Sequence, residues 1–435
     1  MLQSGIIVLE IYVENGCDYM DMIKVVGGQT LSGKIYISGS KNSAVSLIPA
    51  AILSDKVVIE KVPKISDVNS LKEILEYLNV DLKFDCDKLY IDSTSMVNKD
   101  ITNEYSTKLR ASYYFMGALL AKFKKVVISL PGGCSIGKRS FDFHLNGFER
   151  LGAKVNNDGD LYTISANKLV GANIKLPFPS VGATVNIMLA AVFAEGVTTI
   201  ENAASEPEIG NLIEFLNSAG AKISGKDTTK VTIIGVSNLS GGKVKVIPDR
   251  IEAGTYILAG VMNGENLEIC DVRPDNLTSF FDKLREMGAS FEIKGNSVIT
   301  NKVEHLKPVS IETAVYPGFA TDLQQPITTL LLMADGVSTL RETIYENRFQ
   351  NTKYLNEMGA NIEINGDTIR VYGPTKLKGK VVKTSDLRAG AALILAALSA
   401  EGETTITDIK HLLRGYSDLI NKLTNVGAKI WLENE

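Results

Sequence analysis

The hydrophobic pattern of the chain repeats six times. Six segments share one short phrase, in which a turn residue follows an apolar run and precedes a β-rich stretch. The phrases are LNVDL around Asn79, LGAKV around Gly152, AGAKI around Gly220, MGASF around Gly288, MGANI around Gly359 and VGAKI around Gly427. Their spacing of about 70 residues is that of one supersecondary unit in a repeat protein. We therefore predict six copies of one structural unit.

An amphipathic helix precedes each phrase. In the first copy Leu71, Ile74, Leu75 and Leu78 recur at i, i+3, i+4 and i+7, which places them on one face of a helix. Glycine, or asparagine as the next choice, ends such a helix because the terminating residue takes a left-handed backbone conformation. We expect a left-handed residue at all six positions.

Each copy also contains a second helix that is apolar on nearly every side. These segments are SAVSLIPAAIL, ASYYFMGALLA, ATVNIMLAAVFA, GTYILAGVM, ITTLLLMA and AGAALILAALSA. Apolar residues all round predict burial inside a domain. Short β-rich runs such as VVIEKV and VTTIENA follow them, and a further strand pair is expected after each phrase. The unit is therefore α/β, and three copies make a domain of ordinary size.

Composition and charge exclude several classes of protein. The chain has 435 residues, 45% of them hydrophobic, which is enough for two cores. A net charge of -4 argues against nucleic acid or an anionic membrane as partner. The apolar runs are too short to span a bilayer. Four separated cysteines and three histidines indicate neither a disulfide framework nor a metal site, so we expect a cytoplasmic protein.

Residues 1–22 stand apart from the repeats. They contain an apolar patch but lack the basic start and the cleavage site of a signal peptide. Two interpretations remain open: translation starts at Met20 or Met22, or the segment is an additional arm.

Charged and polar residues mark the starts of the six apolar helices. They are Lys41 with Asn42, Arg110, Ser180 with Gly182, Arg250, Asp322 and Arg388. A cation at an exposed helix N-terminus opposes the helix dipole by about 0.3 to 1 kcal/mol. A bound phosphate or carboxylate removes that conflict, so the pattern predicts a shared site for an anionic ligand. The alternative is that each cation pairs with a nearby surface carboxylate.

The second copy departs from the others in the loop PGGCSIGKRSFDFH. Lys138 and Arg139 lie close to Cys134, and nearby cations favour the reactive thiolate. The alternative for Cys134 is an inert core residue. His144 either holds the structure in place or assists Cys134, and the structural role is favoured. Asp322 is either a base that accepts a proton from a hydroxyl or a plain N-cap carboxylate.

Nine motifs in order carry a family resemblance. They are GSKNSA, LRAS, PGGCSIGKR, FPSVGAT, ENAASEPEI, PDRIEAGT, YPGFATDLQ, ENRF and SDLRAG. From about Ile23 to its end, the chain resembles the UDP-N-acetylglucosamine 1-carboxyvinyltransferase family, which belongs to the enolpyruvyl transferases. The shikimate-pathway enolpyruvyl transferase lacks the PGGC loop, and Tyr114 stands where many members of the resembled family carry Trp.

The resemblance implies an α/β fold of the inside-out α/β barrel type, with two domains of three repeated βαβαββ-type units each. Residues 1–22 would be an N-terminal extension. Residues 23–40 and 249–435 would form one domain from both chain ends, with the segment from Ile23 to about Gly39 as its N-terminal strand. Residues 41–248 would form the domain that carries the cysteine loop.

The resemblance also implies residue roles. Lys41, Arg139 and Arg388 would hold phosphoenolpyruvate, supported by Arg348 and Arg110. The UDP-sugar would contact Asn42, Arg139, Ser140, Phe141, Asp142, Ser180, Val181, Gly182 and Ile344. Asp322 would face the sugar 3-hydroxyl and Cys134 would deliver a proton to C3. The implied catalytic set is thus Lys41, Cys134, Asp322 and Arg388.

The implied reaction adds the sugar oxygen to phosphoenolpyruvate and then eliminates phosphate, which is the first committed step of peptidoglycan precursor synthesis. The implied partners are phosphoenolpyruvate and UDP-N-acetylglucosamine, with no cofactor, metal, nucleic acid, membrane or obligate protein partner. Two alternatives remain open, a shikimate-type enolpyruvyl transferase and a non-catalytic paralogue that only binds the nucleotide sugar.

Overall fold

The computed structural model describes residues 22–106, 110–129 and 141–433. The strands in these ranges are β1 Met22–Val26, β2 Leu31–Tyr36, β3 Lys56–Glu60, β4 Asp81–Asp85, β5 Lys88–Asp92, β6 Lys125–Ser129, β7 Lys154–Asp158, β8 Leu161–Ser165, β9 Asn173–Lys175, β10 Val197–Glu201, β11 Lys222–Ser224, β12 Lys230–Ile234, β13 Lys243–Lys245, β14 Gly264–Cys270, β15 Ser290–Lys294, β16 Ser297–Asn301, β17 Ser310–Glu312, β18 Val337–Arg341, β19 Asn361–Asn365, β20 Thr368–Tyr372, β21 Val381–Lys383, β22 Glu403–Thr407 and β23 Lys429–Glu433.

The α-helices are α1 Lys41–Ala50, α2 Ser66–Tyr77, α3 Asn103–Ser106, α4 Tyr114–Phe123, α5 Asp142–Arg150, α6 Val181–Ala191, α7 Pro207–Ser218, α8 Arg250–Asn263, α9 Thr278–Met287, α10 Gln324–Leu331, α11 Thr352–Glu357, α12 Leu387–Ser399, α13 Lys410–Leu413 and α14 Leu419–Thr424. Short 3-10 helices cover Ala51–Leu53, Arg110–Tyr113, Pro274–Leu277 and Thr321–Leu323.

The strands form six small sheets, one for each predicted copy. In strand order they are β13-β3-β5-β4, β6-β8-β7, β11-β12-β10-β9, β15-β16-β14-β2, β17-β18-β20-β19 and β21-β22-β1-β23. Each four-stranded sheet has one parallel and two antiparallel pairs, as β9, β10, β12 and β11 illustrate. The orders β9-α6-β10-α7-β11-β12 and β17-α10-β18-α11-β19-β20 match the predicted βαβαββ unit.

The apolar helices lie on the inside of the fold. Helix α4 packs against α1 and α6, and α8, α10 and α12 pack against one another. Nearly every residue of these helices is buried. The amphipathic helices bury one face only, as α2 does with Leu71, Ile74 and Leu75. Helices inside and sheets outside confirm the predicted inside-out α/β barrel.

The six phrase residues all have the predicted left-handed backbone. Asn79 has φ 62°, and the five glycines at the equivalent positions have φ between 79° and 106°. In the first copy asparagine tolerates the left-handed backbone in place of glycine, and its side-chain Nδ2 also donates to the Ser95 carbonyl at 2.8 Å. The helix-ending role read from the phrase is confirmed.

Two separate hydrophobic cores are present. One is built from residues between Ala44 and Val246. The other combines residues 23–37 with residues 251–430. The segment before Gly39 is not one strand as predicted but two, because β1 and β2 join different sheets. Met22, assigned by prediction to the extension, instead begins β1 and pairs with Glu433.

The last copy departs from the predicted strand pair. Within the described residues, β23 is the one strand after Gly427, and β1 from the other end of the described chain completes its sheet by pairing with both β22 and β23. The prediction of a strand pair after Gly427 was wrong, because the second strand is β1, which lies far away in the sequence and gives no signal near Gly427.

Two chain crossings join the cores. The Ser40 N–H donates to the Ile247 carbonyl at 2.7 Å, and the Asp249 N–H donates to the Ser38 carbonyl at 2.9 Å. A Cβ at Gly39 would lie 1.9 Å from the Lys61 carbonyl oxygen, so only glycine fits there.

The Asp249 carboxylate ties the first turns of two helices together at these crossings. Its Oδ1 accepts from the N–H groups of Ile251 and Glu252 in α8, at 2.8 and 3.0 Å. Its Oδ2 accepts from the Lys41 N–H at the start of α1, at 2.9 Å. One buried carboxylate therefore holds helix starts from both cores in a fixed relation.

Candidate active site

Asp322 lies between two buried guanidinium groups. Its Oδ1 accepts a hydrogen bond from Arg348 Nη2 and its Oδ2 accepts one from Arg388 Nη2, both at 2.7 Å. The two arginine side chains are 2% and 4% exposed, whereas Asp322 is 26% exposed and so is accessible to solvent. Asp322 caps no helix, because the N-cap position of Thr321–Leu323 is Ala320. The N-cap alternative for Asp322 was wrong.

The two arginines fix the protonation state of Asp322. Burial alone raises the pKa of this carboxyl, but the charges and hydrogen bonds of Arg388 and Arg348 outweigh burial and hold the pKa well below its usual range. Burial acts in the opposite direction on Arg388, where the Asp322 charge raises the pKa above its ordinary value. The group is an ionised carboxylate held between two cations.

Arg388 lies at the N-terminus of a helix, where the helix dipole disfavours a positive charge, and a nearby carboxylate offsets this effect. It is the second residue of α12, and the Asp386 side chain accepts from the backbone N–H groups of Arg388 and Ala389 at 2.8 and 3.1 Å. The N-cap carboxylate supplies the negative charge that the dipole favours, so the cation behind it is tolerated. The Tyr416 ring centroid lies 5.8 Å from Arg388 Cζ.

Arg348 is held by the loop that follows β18. Its backbone carbonyl accepts from Gln325 Nε2 at 2.9 Å, and the Tyr345 ring centroid lies 5.2 Å from its Cζ. Its buried Nε has no hydrogen-bond acceptor among the described residues. A buried donor without a partner costs about 1 to 3 kcal/mol, so an acceptor that reached this atom would stabilise the site.

Lys41 belongs to a second charge cluster that bridges the two cores. Its Nζ lies 2.6 Å from Asp67 Oδ2, and Asp67 Oδ1 accepts from Arg414 Nε at 2.8 Å. Burial lowers the pKa of Lys41, Asp67 opposes that effect, and the charges of Arg414 and Arg388 lower it further. The two arginines from the second core are thus close enough to Lys41 to act on its charge.

Arg414 and Asp67 were not among the predicted site residues. Arg414 directly follows α13 and Asp67 lies in the first turn of α2, so neither stands at the start of an apolar helix. A search for cations in the amphipathic half of each copy would have found Arg414, which stands in HLLRGYSD.

Arg250 forms another ion pair between the two cores. Its Nε donates to Glu208 Oε1 at 3.2 Å and its Cζ lies 5.4 Å from the Tyr316 ring centroid. Lys41, Arg250 and Arg388 therefore each have an internal carboxylate partner. The alternative placed such ion pairs on the surface. The carboxylate partners are present, but the surface placement was wrong, because the side chains of the three cations are at most 14% exposed.

Glu206, beside this contact, gives a pH-dependent prediction. Burial raises its pKa to about 7 against the opposing charge of Arg250, while the ordinary value is 4.5. The folded state therefore favours the protonated carboxyl, and this contribution to stability is complete below pH 4.5 and disappears as the pH rises through about 7. We expect Glu206→Gln to raise the Tm relative to the wild type at pH 8 but not at pH 5.

Differential scanning fluorimetry at the two pH values checks this expectation. Glu214→Gln is a matched control. Glu214 lies in α7, the helix for which Glu206 is the N-cap residue, but its side chain is 51% exposed. An equal Tm difference at both pH values for Glu206→Gln would contradict the raised pKa.

Three of the residues predicted to contact the UDP-sugar, Ser180, Val181 and Gly182, lie at the start of α6. The Ser180 Oγ accepts from the Ala183 N–H at 3.3 Å, and Val181 is the first residue of the helix. At Gly182 an added Cβ would lie 2.9 Å from both His144 Cε1 and Tyr113 Oη, so glycine allows this close approach.

His144 makes the packing contacts expected of the favoured structural role, and assistance to Cys134 stays a prediction because Cys134 lies outside the described residues. Its Nδ1 lies 2.9 Å from Asn186 Nδ2, and its ring packs against the rings of Tyr113 and Phe141. Phe141 is the N-cap residue of α5 and Asp142 is its first residue, two positions before His144. Asn42 is the second residue of α1, so it lies beside Lys41.

Comparison with known proteins decides the family. Residues 25–423 match the EPSP synthase (3-phosphoshikimate 1-carboxyvinyltransferase) family. UDP-N-acetylglucosamine 1-carboxyvinyltransferase 2 from Geobacillus kaustophilus is 49% identical over 415 residues, which are 95% of this chain and 97% of the relative. The protein of the same name from Bacillus subtilis is 49% identical over 416 residues, with the same coverage. The chain belongs to the UDP-N-acetylglucosamine 1-carboxyvinyltransferase family.

Solved structures agree with this family membership. The enolpyruvyl transferase NikO from Streptomyces tendae is 26% identical, with a TM-score of 0.88 over 96% of this chain and 100% of that one. EPSP synthase from Acinetobacter baumannii has a TM-score of 0.73 at 17% identity over 95% of this chain and 100% of that one, which shows the fold alone. The sequence resemblance to UDP-N-acetylglucosamine 1-carboxyvinyltransferases is confirmed.

Several predicted site residues of this family member lie outside the described residues. They are Cys134, Arg139 and Ser140, and Arg110 is described only as the first residue of Arg110–Tyr113. The described cysteines, Cys86 and Cys270, are free thiols. The described residues contain no cluster of three or more possible metal ligands, and none of their helices is long and apolar enough to cross a membrane.

Proposed function

We propose that this protein transfers the enolpyruvyl group of phosphoenolpyruvate to the 3-hydroxyl of UDP-N-acetylglucosamine, with release of phosphate. This reaction is the first committed step of peptidoglycan precursor synthesis. The observation that carries the proposal is the ionised Asp322 carboxylate, held between Arg348 and Arg388. Membership of the UDP-N-acetylglucosamine 1-carboxyvinyltransferase family supports the same substrates.

Asp322 accepts the proton of the sugar 3-hydroxyl in this proposal. Its lowered pKa keeps it ionised, and its 26% exposure leaves the carboxylate accessible to a ligand in the cleft. The sugar oxygen then forms a bond to C2 of phosphoenolpyruvate while C3 takes a proton from Cys134. In the second step the C3 proton returns to the Cys134 thiolate and the C2–O bond to phosphate breaks. The leaving phosphate takes the proton held by Asp322, so the vinyl ether is restored and atoms and charge balance over the two steps.

The cations hold the anionic groups of phosphoenolpyruvate. Lys41 and Arg414 share the Asp67 carboxylate in the described structure, and Arg388 acts on Lys41 from the second core. A substrate phosphate or carboxylate can replace Asp67 as the partner of these cations, which makes binding an exchange of anions in a partly buried site. Fixed cations stabilise the charge of the carboxylate and of the leaving phosphate. Arg110, Arg139 and Arg348 complete the proposed anion site.

The proposed contacts of the UDP-sugar combine residues that stand, in sequence, beside the starts of α1, α5 and α6 with Asp322 and Ile344 from the C-terminal part of the chain. They are Asn42, Arg139, Ser140, Phe141, Asp142, Ser180, Val181, Gly182, Asp322 and Ile344. Free backbone N–H groups at helix starts suit the diphosphate. We also propose that residues 41–248 and the two end segments 23–40 and 249–435 act as two domains around the cleft, and that the protein acts in the cytoplasm.

Phosphate release from phosphoenolpyruvate tests the function. We expect release only when UDP-N-acetylglucosamine is also present, and we expect Cys134→Ser to reduce it strongly. Fosfomycin, an epoxide that mimics phosphoenolpyruvate, should abolish release by alkylating Cys134, and mass spectrometry of the peptide shows the adduct. Cys86→Ser is the matched control, because Cys86 is an exposed free thiol outside the site.

Other outcomes identify the alternatives. Release that requires shikimate 3-phosphate would indicate the shikimate-type enzyme. Binding of the sugar nucleotide without any release would indicate a non-catalytic paralogue. Sugar-dependent release that survives fosfomycin would retain the reaction and exclude Cys134 as the reactive group.

A further inference from the structure

Glu342 is a buried carboxylate that the mechanism does not use. It directly follows β18 and is 3% exposed. Its Oε1 accepts from the Thr313 hydroxyl at 2.9 Å and from the backbone N–H groups of Ile344 and Tyr345 at 2.8 and 3.2 Å. Its Oε2 accepts from the Thr321 hydroxyl at 2.9 Å.

The donors that bind Glu342 are two hydroxyls and two backbone N–H groups, all neutral. Removing a carboxylate from water is costly unless its hydrogen bonds are replaced, and these four donors replace them. A neutral side chain would be cheaper to bury at this position. A carboxylate, however, offers acceptor sites on both oxygens, so one residue can hold several segments in register.

The segments that Glu342 joins carry the proposed sugar-side residues. Thr321 precedes Asp322, and Ile344 and Tyr345 lie in the loop that leads to Arg348. The same two segments meet again where Arg348 binds Asp322. The Asp322 segment and the Ile344 loop are therefore fastened at two points, by Glu342 at one end and by the ion pair at the other.

The remaining contacts of this loop strengthen the arrangement. The Thr343 N–H donates to Thr313 Oγ1 at 2.9 Å, and the Thr343 hydroxyl donates to the Thr313 carbonyl at 2.6 Å. The Glu342 N–H donates to the Asp367 carbonyl at 2.8 Å. The loop after β18 is thus held by these contacts in addition to those of Glu342.

We propose that Glu342 is a positioning residue for the sugar nucleotide. It sets the distance between Asp322 and the Ile344 loop, so that the loop binds the nucleotide sugar while the 3-hydroxyl meets the Asp322 carboxylate. The inference rests on the proposed function and assigns a role to a residue that touches neither substrate. A misplacement of about 1 Å at a reacting group can lower the rate by about 10²-fold, which is why such a residue matters.

Three variants test this role through the KM for UDP-N-acetylglucosamine, kcat and the Kd measured by calorimetry. Glu342→Gln keeps the shape, and its amide can face the Thr321 hydroxyl, which can rotate to accept; we expect kcat and KM within about threefold of the wild type. Glu342→Leu removes all four acceptor contacts. We expect it to raise the KM and Kd for the sugar nucleotide by more than about tenfold, with a smaller change in the KM for phosphoenolpyruvate.

Thr321→Val provides the second measurement in case Glu342→Leu does not fold. It removes only the bond on the Asp322 side, at nearly constant volume, so kcat should fall by about tenfold with little change in Kd. Glu312→Leu is the control, because Glu312 ends the neighbouring β17 and its side chain is 60% exposed.

The outcomes separate this inference from the proposed function. Glu342→Leu with a lower Tm but unchanged KM, kcat and Kd would reduce Glu342 to a purely structural residue. Glu342→Gln as impaired as Glu342→Leu would show that the charge itself is required, which also overturns positioning. Wild-type protein that neither turns over nor binds UDP-N-acetylglucosamine would overturn the proposed function and the inference with it.

Discussion

Asp322→Asn is expected to lower kcat by about 10²- to 10⁴-fold, the usual contribution of a positioned general base. The amide cannot take the proton of the sugar 3-hydroxyl, although its size is nearly that of the carboxylate. Its Oδ1 can still accept from one of the two guanidinium groups, so the site keeps much of its shape. Steady-state phosphate release with both substrates measures the effect.

Asp367→Asn is the matched control for this change. Asp367 is also an aspartate bound to an arginine, Arg341, at 2.9 Å, but its side chain is 53% exposed. We expect its kcat to equal that of the wild type, because exposed ion pairs contribute little. Asp322→Asn that retains more than a tenth of the wild-type kcat would show that the base is another group.

Arg388→Met is expected to lower kcat/KM for phosphoenolpyruvate by about 10²- to 10³-fold, the typical effect of losing one fixed electrostatic group. It should also lower the free energy of unfolding by about 1 to 3 kcal/mol, because Asp322 loses a charged hydrogen bond but keeps the one from Arg348. Phosphate release at varied phosphoenolpyruvate and urea unfolding measure the two effects.

Two further variants test whether the loss of activity in Arg388→Met is specific to Arg388 and whether positive charge alone is needed there. Arg341→Met removes an exposed arginine, 54% accessible, and should leave kcat/KM unchanged. Arg388→Lys keeps the charge but loses the planar pair of donors, so we expect it to recover only part of the lost activity. Full activity in Arg388→Lys would mean that charge alone is needed, and unchanged activity in Arg388→Met would remove Arg388 from the anion site.

The sequence predicted the fold because each copy carries its own local signals. Burial of the apolar helices and a left-handed residue at Asn79 or glycine are properties of short segments. The cations Lys41, Arg250 and Arg388 were also found locally, since each stands at the start of an apolar helix.

The partners of these cations could not be found in the same way. Asp67 and Arg414 are 347 positions apart and meet only because the tertiary structure brings separate copies into contact. Glu342 gives no sequence signal, since its role depends on which loops the tertiary structure brings to it. The local sequence pattern identifies a charged residue, whereas its burial and its contacts with other copies determine its role.

The pairing of β1 with β22 and β23 imposes an order on synthesis. The ribosome releases β1 first and its two partners last, so the second core cannot be completed until the whole described chain has emerged. The first core contains only residues between Ala44 and Val246 and can form while synthesis continues. The Lys41 side of the cleft is thus built before the Asp322 and Arg388 side exists, and β1 keeps two open edges meanwhile.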